Sequence, residues 1–224
     1  MSRRSIVIIL LLVTFCITLA NSLPSGWGVN IHFTSERPGE VEQLRKAFSV
    51  VRMDFSWSSV EKSVNLYDWT NYDTLNKTLL SHGITPLMIL DYGNNLYGGG
   101  PPLTDTARTA FAKFGHAAIL RYRGLGFLWE LWNEPNGGNF WPNPNATAYA
   151  RLLDALGAAV RGDPLTKDEI IMGPPTAGVD IGYLKSFLET GSGKWLDIVS
   201  VHPYRNGSPE SASSSYAAMR AVMS

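Results

Sequence analysis

One stretch of this sequence decides how its fold is interpreted: Trp129-Glu130-Leu131-Trp132-Asn133-Glu134-Pro135-Asn136. The apolar, glycine-bounded run at residues 124–128 leads into it, and this pattern predicts a short buried β-strand that ends in polar residues. Pro135 cannot donate a ladder hydrogen bond and keeps the residue before it out of helical geometry. We therefore expect the strand to stop at Glu134, with the carboxylate at the rim of a sheet.

Strand-like and helix-like segments alternate along the rest of the chain. Short apolar runs predict further strands at residues 26–33, 49–55, 86–90, 169–173 and 196–201. Helical spacing and cap residues predict helices at residues 40–48, 72–82, 104–122, 145–161, 183–189 and 211–223. This alternation indicates parallel βα units.

Polar residues recur at the carboxyl ends of these strands. They are His32, Asp54, Asp91, Asn133-Glu134 and His202. In a (β/α)8 TIM barrel this is the face on which active sites are built. A doubly wound open sheet also binds ligands at its strand ends and stays an alternative, although the first strand has no Gly-x-Gly-x-x-Gly turn after it.

The composition excludes several function classes. In the 224 residues, 19 basic side chains balance 19 acidic ones, so the charge gives no reason to expect a nucleic-acid partner, and a neutral oligo- or polysaccharide suits this balance better. There is no Gly-x-Ser-x-Gly elbow and no His-Glu-x-x-His pair. We expect neither a cofactor nor a metal, and the oligomeric state stays open.

The first 20 residues resemble a secretory signal peptide. Arg3 and Arg4 precede an apolar run, and Thr18-Leu19-Ala20 offers a small-residue cleavage site. We expect a secreted protein with residues 21–224 as one domain and with no membrane segment after cleavage; a retained signal anchor is the alternative. The single cysteine, Cys16, lies inside the signal, so a packed core rather than disulfides must stabilise the mature chain.

The aromatic residues around Glu134 suit sugar chemistry. Aromatic faces can hold a pyranose, and apolar surroundings raise the pKa of a carboxyl group towards that of a general acid. The run Trp132-Asn133-Glu134-Pro135-Asn136 at a strand end resembles the acid/base signature of retaining glycoside hydrolases with a (β/α)8 barrel, closest to families 39 and 5. A solvated loop acid among core tryptophans is the structural alternative.

The resemblance extends from residue 26 to about residue 204, through six of the eight expected βα units. It implies that Glu134 is the general acid/base and that Asn133 bonds the sugar 2-hydroxyl. It also implies electrostatic support of the nucleophile by Arg52, whose structural alternative is a buried cation paired with a carboxylate. The remaining substrate-binding candidates are His32, Asp91, Tyr92, Trp132, His202 and Tyr204, with Trp57 and Trp141 as further stacking candidates.

One part of the family pattern is missing from the sequence. Retaining hydrolysis needs a second carboxylate about 5 Å from the acid/base, and in this clan it is a Glu that ends the seventh strand. Glu210 has no apolar strand before it and does not fit. We expect an incomplete barrel whose last two βα units are missing, truncated at its C-terminus and inactive by itself.

The sequence therefore favours a secreted glycosidase that hydrolyses β-linked oligo- or polysaccharides with retention. Two alternatives stay open. The first is a non-catalytic carbohydrate-binding barrel or inactive fragment, which the missing nucleophile favours. The second is an extracellular structural domain, which leaves the polar residues at the strand ends unexplained.

Overall fold

The computed structural model of the protein describes residues 26–224. The predicted signal peptide and its Cys16 lie outside the described residues. Within residues 26–224, no helix has both the length and the apolar composition needed to cross a bilayer.

Five parallel strands form the central sheet, in the order β1-β2-β5-β6-β7. Their bounds are Gly28–Asn30 (β1), Val50–Ser56 (β2), Thr85–Asp91 (β5), Leu128–Leu131 (β6) and Ile170–Met172 (β7). Two small sheets accompany it, made of β3 (Glu61–Ser63) with β4 (Leu66–Tyr67) and of β8 (Thr176–Ala177) with β9 (Val201–His202).

Helices alternate with these strands, as in a βα barrel. They are Glu40–Arg45 (α1), Trp57–Val60 (α2), Thr70–Ser81 (α3), Asp105–Tyr122 (α4), Ala146–Gly162 (α5), Ile181–Leu188 (α6) and Ala212–Met223 (α7). Three of them begin at the side-chain caps Thr104, Asn145 and Asp180, each of which accepts the backbone N–H three residues later. These caps satisfy donors that a helix N-terminus otherwise leaves unpaired.

Four predicted strands are shorter in the structure: the first and fifth shorten to β1 and β7, and the fourth and sixth change as follows. The fourth strand ends at Leu131 and not at Glu134, because Trp132 and Glu134 both have left-handed backbone angles (φ of 65° and 44°) that a β-ladder does not accommodate. The sixth strand is reduced to β9, although Ile198 still forms a parallel bridge with Met172 of β7. The chain at Ile198 therefore runs parallel to β7 on its outer side, as the next strand of a barrel would.

The core lies between the sheet and its helices and is unusually aromatic. Phe55 projects from β2 into this layer and contacts five rings, with centroid separations from 4.0 to 6.1 Å: Trp69, Tyr72, Phe114, Tyr122 and Trp129. Because Phe55 faces the helices, its neighbours on β2, Asp54 and Ser56, face the opposite side of the sheet. The alternation thus sends Val51, Met53 and Phe55 to the core and Arg52, Asp54 and Ser56 to the barrel interior.

Candidate active site

A cleft of about 770 Å³ lies at the carboxyl ends of the parallel strands. Its lining combines charged, amide and aromatic side chains: Asn30, His32, Arg52, Asp54, Tyr92, Glu130, Asn133, Glu134, Phe140 and the segment from Ser200 to Tyr204, with Met172. The position agrees with the expectation for a βα barrel, where the ends of several strands contribute to one site.

Arg52 is the centre of the hydrogen-bond network on the cleft floor. Its guanidinium lies 2.6–2.7 Å from the Glu130 carboxylate and also donates to Asn133 Oδ1 at 3.0 Å and to Asn30 Oδ1 at 3.2 Å. Glu130 is 2% exposed, so its charge depends on this cation. The pairing holds Asn133 by its carboxamide oxygen and leaves the amide nitrogen as the group that can donate to a ligand.

Glu134 is in contact with His202. Oε1 of Glu134 lies 2.7 Å from His202 Nδ1, and both side chains are 15% exposed. His202 Nε2 lies 3.3 Å from Nη2 of Arg52. Because a guanidinium only donates, Nε2 of the neutral imidazole acts as the acceptor, and the proton sits on Nδ1 and is donated to Glu134.

The loop that carries Glu134 is anchored on both sides. The Glu134 N–H donates to the carbonyl of Pro175, and the Glu134 carbonyl accepts from Gly137 N. Asn136 exchanges two hydrogen bonds with the backbone of Ala177 in β8, at 2.8 and 3.1 Å. These contacts stabilise the left-handed φ of Glu134, a conformation that a non-glycine residue rarely adopts.

Two of the predicted substrate contacts, Trp132 and Asp91, have side chains that the structure buries. Trp132 is 1% exposed, and its indole packs edge-to-face on Trp141. Asp91 is fully buried at the end of β5. Neither can touch a ligand in the cleft, and the further stacking candidates Trp57 and Trp141 are equally buried.

The structure places the other predicted residues on the cleft. Tyr92 stacks on Phe140 with a centroid separation of 6.0 Å, and Tyr204 lies edge-on to the His202 ring and is 76% exposed. His32 is on the opposite rim, with its side chain 74% exposed. The aromatic surfaces available to a sugar are therefore those of Tyr92, Phe140 and Tyr204.

Sequence reasoning missed Glu130, Asn30 and Phe140 as cleft residues. Glu130 stands in the middle of an apolar strand. An acid in such a position needs a buried cation as its partner, and this requirement could have indicated a contact with Arg52. Asn30 and Phe140 carry no comparable signal, because neither residue type is unusual at a strand end or in a loop.

Burial has a marked effect on the acid–base properties of the floor. Burial, followed by the neighbouring carboxylate of Asp54, raises the pKa of Asp91 well above its usual value. Burial, together with Asp91, also raises the pKa of the Tyr92 phenol, which stays a hydrogen-bond donor. Residues 26–224 hold no cluster of three or more His, Cys, Asp or Glu side chains that could bind a metal ion.

Comparisons with known proteins point to one class of enzyme. No family model matches the sequence. Over 93 residues the chain is 31% identical to a β-xylosidase of Geobacillus stearothermophilus, a match that spans 40% of this chain and 18% of that protein.

Solved structures show the same fold over most of the chain. A family 39 β-xylosidase from Caulobacter crescentus superposes with a TM-score of 0.68 at 23% identity, over 88% of this chain and 49% of its own. A family 39 enzyme from Xanthomonas axonopodis pv. citri gives 0.69 at 22% identity, over 87% and 47%.

The chain thus spans about half the length of these solved structures. The (β/α)8-barrel class that the sequence predicts is confirmed by these structures and by the parallel central sheet. The protein shares the barrel fold of the family 39 glycoside hydrolases, and the residues that the strand-end motif brings together line the cleft of that fold.

Proposed function

We propose that this chain forms the acid/base half of the active site of a secreted glycosidase, which hydrolyses β-linked oligo- or polysaccharides with retention of configuration. One observation carries the proposal. Glu134 projects from the loop after β6, where its φ is left-handed, into an open cleft, with one oxygen held by His202 at 2.7 Å. Among residues 26–224 its other oxygen has no such partner, which leaves it available to a substrate.

In this proposal Glu134 first protonates the leaving glycosidic oxygen and then, as the conjugate base, activates water. The Nδ1–H of His202 holds Oε1, so the transferred proton is carried by Oε2. Asn133, fixed by Arg52, donates its amide N–H to the sugar hydroxyl next to the reacting carbon. Tyr92 and Tyr204 supply the faces on which the sugar packs.

The second carboxylate of a double displacement is not assigned to any residue of this chain. The acids that line the cleft are Asp54, Glu130 and Glu134. Glu130 is neutralised by Arg52, and Asp54 does not follow the motif that the resemblance requires. This chain spans about half the length of the solved relatives, and we propose that the nucleophile corresponds to a part of them that it does not span.

The relatives favour β-xylosides as the first substrates to test. The assay measures kcat/KM on xylobiose and on dinitrophenyl β-xyloside for the protein that contains this chain, including whatever follows Ser224 in its reading frame. Glu134→Gln is expected to lower kcat/KM on xylobiose by about 10²–10⁴-fold. The dinitrophenyl substrate, whose leaving group needs no proton, should be affected much less.

Glu42→Gln is the matched control, because Glu42 is exposed on α1 and does not line the cleft. Equal losses on both substrates would remove Glu134 from the acid role. Sugar binding without hydrolysis by the native protein would replace the enzyme with a carbohydrate-binding barrel. Secretion is tested separately, by the N-terminal sequence of the protein recovered from culture medium.

A further inference from the structure

Asp54 is the cleft carboxylate that the proposed mechanism leaves unused. Its side chain is 30% exposed and lines the cleft together with Arg52 and Tyr92. Asp54 also borders a second, smaller cavity of about 220 Å³, which hydroxyl and amide groups of Ser56, Ser59 and Asn71 help to line. The carboxylate is therefore open to ligand on the floor of the site.

No described cation neutralises Asp54 at hydrogen-bond distance. Arg52 gives its N–H groups to Glu130, Asn133 and Asn30. His32 Nδ1 lies 3.9 Å from Asp54 Oδ2, which is too long for a hydrogen bond. An ionised carboxylate that faces a cleft with unfilled acceptor positions is a natural partner for hydroxyl donors.

Asp91 lies behind Asp54, inside the barrel. It is fully buried, and neither of its oxygens has a hydrogen-bond partner among the described residues. Burial, followed by the neighbouring Asp54 carboxylate, raises the pKa of Asp91 well above its usual value. A buried carboxyl without a partner beside a second carboxyl is better placed as a proton donor than as an ion.

The backbone of Asp54 is rigid, which gives its carboxylate a defined position. The residue is paired in the β2–β5 ladder opposite Ile89, and its carbonyl accepts the hydroxyl of Tyr72 at 3.0 Å. A donor O–H on the buried, unpartnered Asp91 would restrict the remaining freedom of this side chain.

We propose that Asp54 is a substrate-binding residue that accepts a hydrogen bond from a pyranose hydroxyl, and that Asp91, buried behind it, is the positioning residue. The assignment rests on the proposed function, because it takes the ligand of the cleft to be a β-linked sugar. It adds a specificity contact on the β2–β5 side of the site, opposite the loop of Glu134.

The test is equilibrium binding by titration calorimetry with methyl β-xyloside and with its complete set of monodeoxy derivatives. Asp54→Asn should weaken binding of the parent sugar roughly tenfold or more, because a hydrogen bond to a charged acceptor is lost. One deoxy sugar should bind the native protein about tenfold more weakly than the parent does. The same deoxy sugar should lose nothing further in Asp54→Asn, which identifies the hydroxyl that Asp54 contacts.

Asp91 is tested by two replacements of similar size. Asp91→Asn keeps an N–H donor towards Asp54 and should bind the parent sugar within about threefold of the native protein. Asp91→Leu removes the donor and should weaken binding several-fold more. Asp168→Asn, an exposed acid away from the cleft, is the matched control, and circular dichroism verifies that each variant is folded.

The outcomes separate this inference from the proposed function. Native-like affinity of Asp54→Asn for every sugar overturns the substrate-binding role of Asp54 and leaves the glycosidase proposal intact. Equal losses in Asp91→Asn and Asp91→Leu overturn the positioning role of Asp91. Failure of the folded native protein to bind any of the sugars removes both the inference and its basis.

Discussion

Replacing Arg52 by methionine should destabilise the protein by about 3–5 kcal/mol, because it leaves Glu130 as a buried charge without its cation. Glu130 is 2% exposed, and the N–H groups that reach its carboxylate in the described part of the chain both belong to Arg52. Arg52 is itself 22% exposed, so methionine fits its position and replaces the apolar stem of the side chain. The loss therefore reports the charge and not a cavity.

Urea unfolding followed by circular dichroism measures this effect. With a slope of about 2 kcal/mol per molar urea, a loss of 3–5 kcal/mol lowers the midpoint by roughly 1.5–2.5 M. The double variant Arg52→Met/Glu130→Leu removes both charges and should recover most of that shift. Arg121→Met is the control: its pair with Asp73 is about 40% exposed on both sides and should cost only about 0–1 kcal/mol.

Two results would refute this reasoning. A loss below about 1 kcal/mol in Arg52→Met would mean that Glu130 does not depend on Arg52 for its charge. A double variant as unstable as the single one would place the cost in packing or in the bonds to Asn30 and Asn133, and not in the unpaired carboxylate.

Two further predictions concern stability. Burial raises the pKa of Asp91 above its unfolded value of about 3.9, so the folded state binds the extra proton and its stability falls as pH rises from about 4 through the folded pKa. The Asp91→Asn variant lacks this loss, so its stability relative to the native protein should rise over the same pH range, by at most about 1.4 kcal/mol per pH unit. Urea titrations at several pH values measure this difference. Parallel pH profiles of the two proteins would contradict the prediction. A Cβ on Gly157 would lie 2.5 Å from the Trp195 ring, and Asp154 holds that ring in place by a 2.9 Å hydrogen bond. Gly157→Ala should therefore lower the free energy of unfolding by about 1–3 kcal/mol, measured by calorimetry. Gly162→Ala, at the open end of the same helix, should be neutral or stabilising, and equal effects of the two would refute the packing argument.

Much of the fold could be predicted from local patterns. Thr104, Asn145 and Asp180 begin helices because each side chain caps its own N-terminus, a contact that spans three residues. The alternation of these helices with short apolar runs predicts parallel strands, and their parallel order is what the structure has. The hairpin of β3 and β4 was not predicted, because Glu61 and its surroundings have no strand-like alternation and depend on bonds from Trp57 and Tyr97.

The candidate site was predicted less completely than the fold. The motif placed Asn133 and Glu134 at a strand end, and the cleft contains both. It did not predict that Trp132 is buried, because a left-handed turn directly after β6 directs this indole onto Trp141 and away from the cleft. Side-chain direction beyond a strand end depends on individual backbone angles, which the composition of the loop leaves undetermined.

The sequence by itself determined the order of the βα units, the strand that carries Glu134, and the polarity of each strand end. Only the tertiary structure decided which polar groups meet. Arg52 and Glu130 are 78 residues apart and lie on strands separated by β5, so their contact exists only once three strands are in register. The raised pKa of Asp91 has the same origin: it depends on burial and on a neighbouring carboxylate, and both arise from packing.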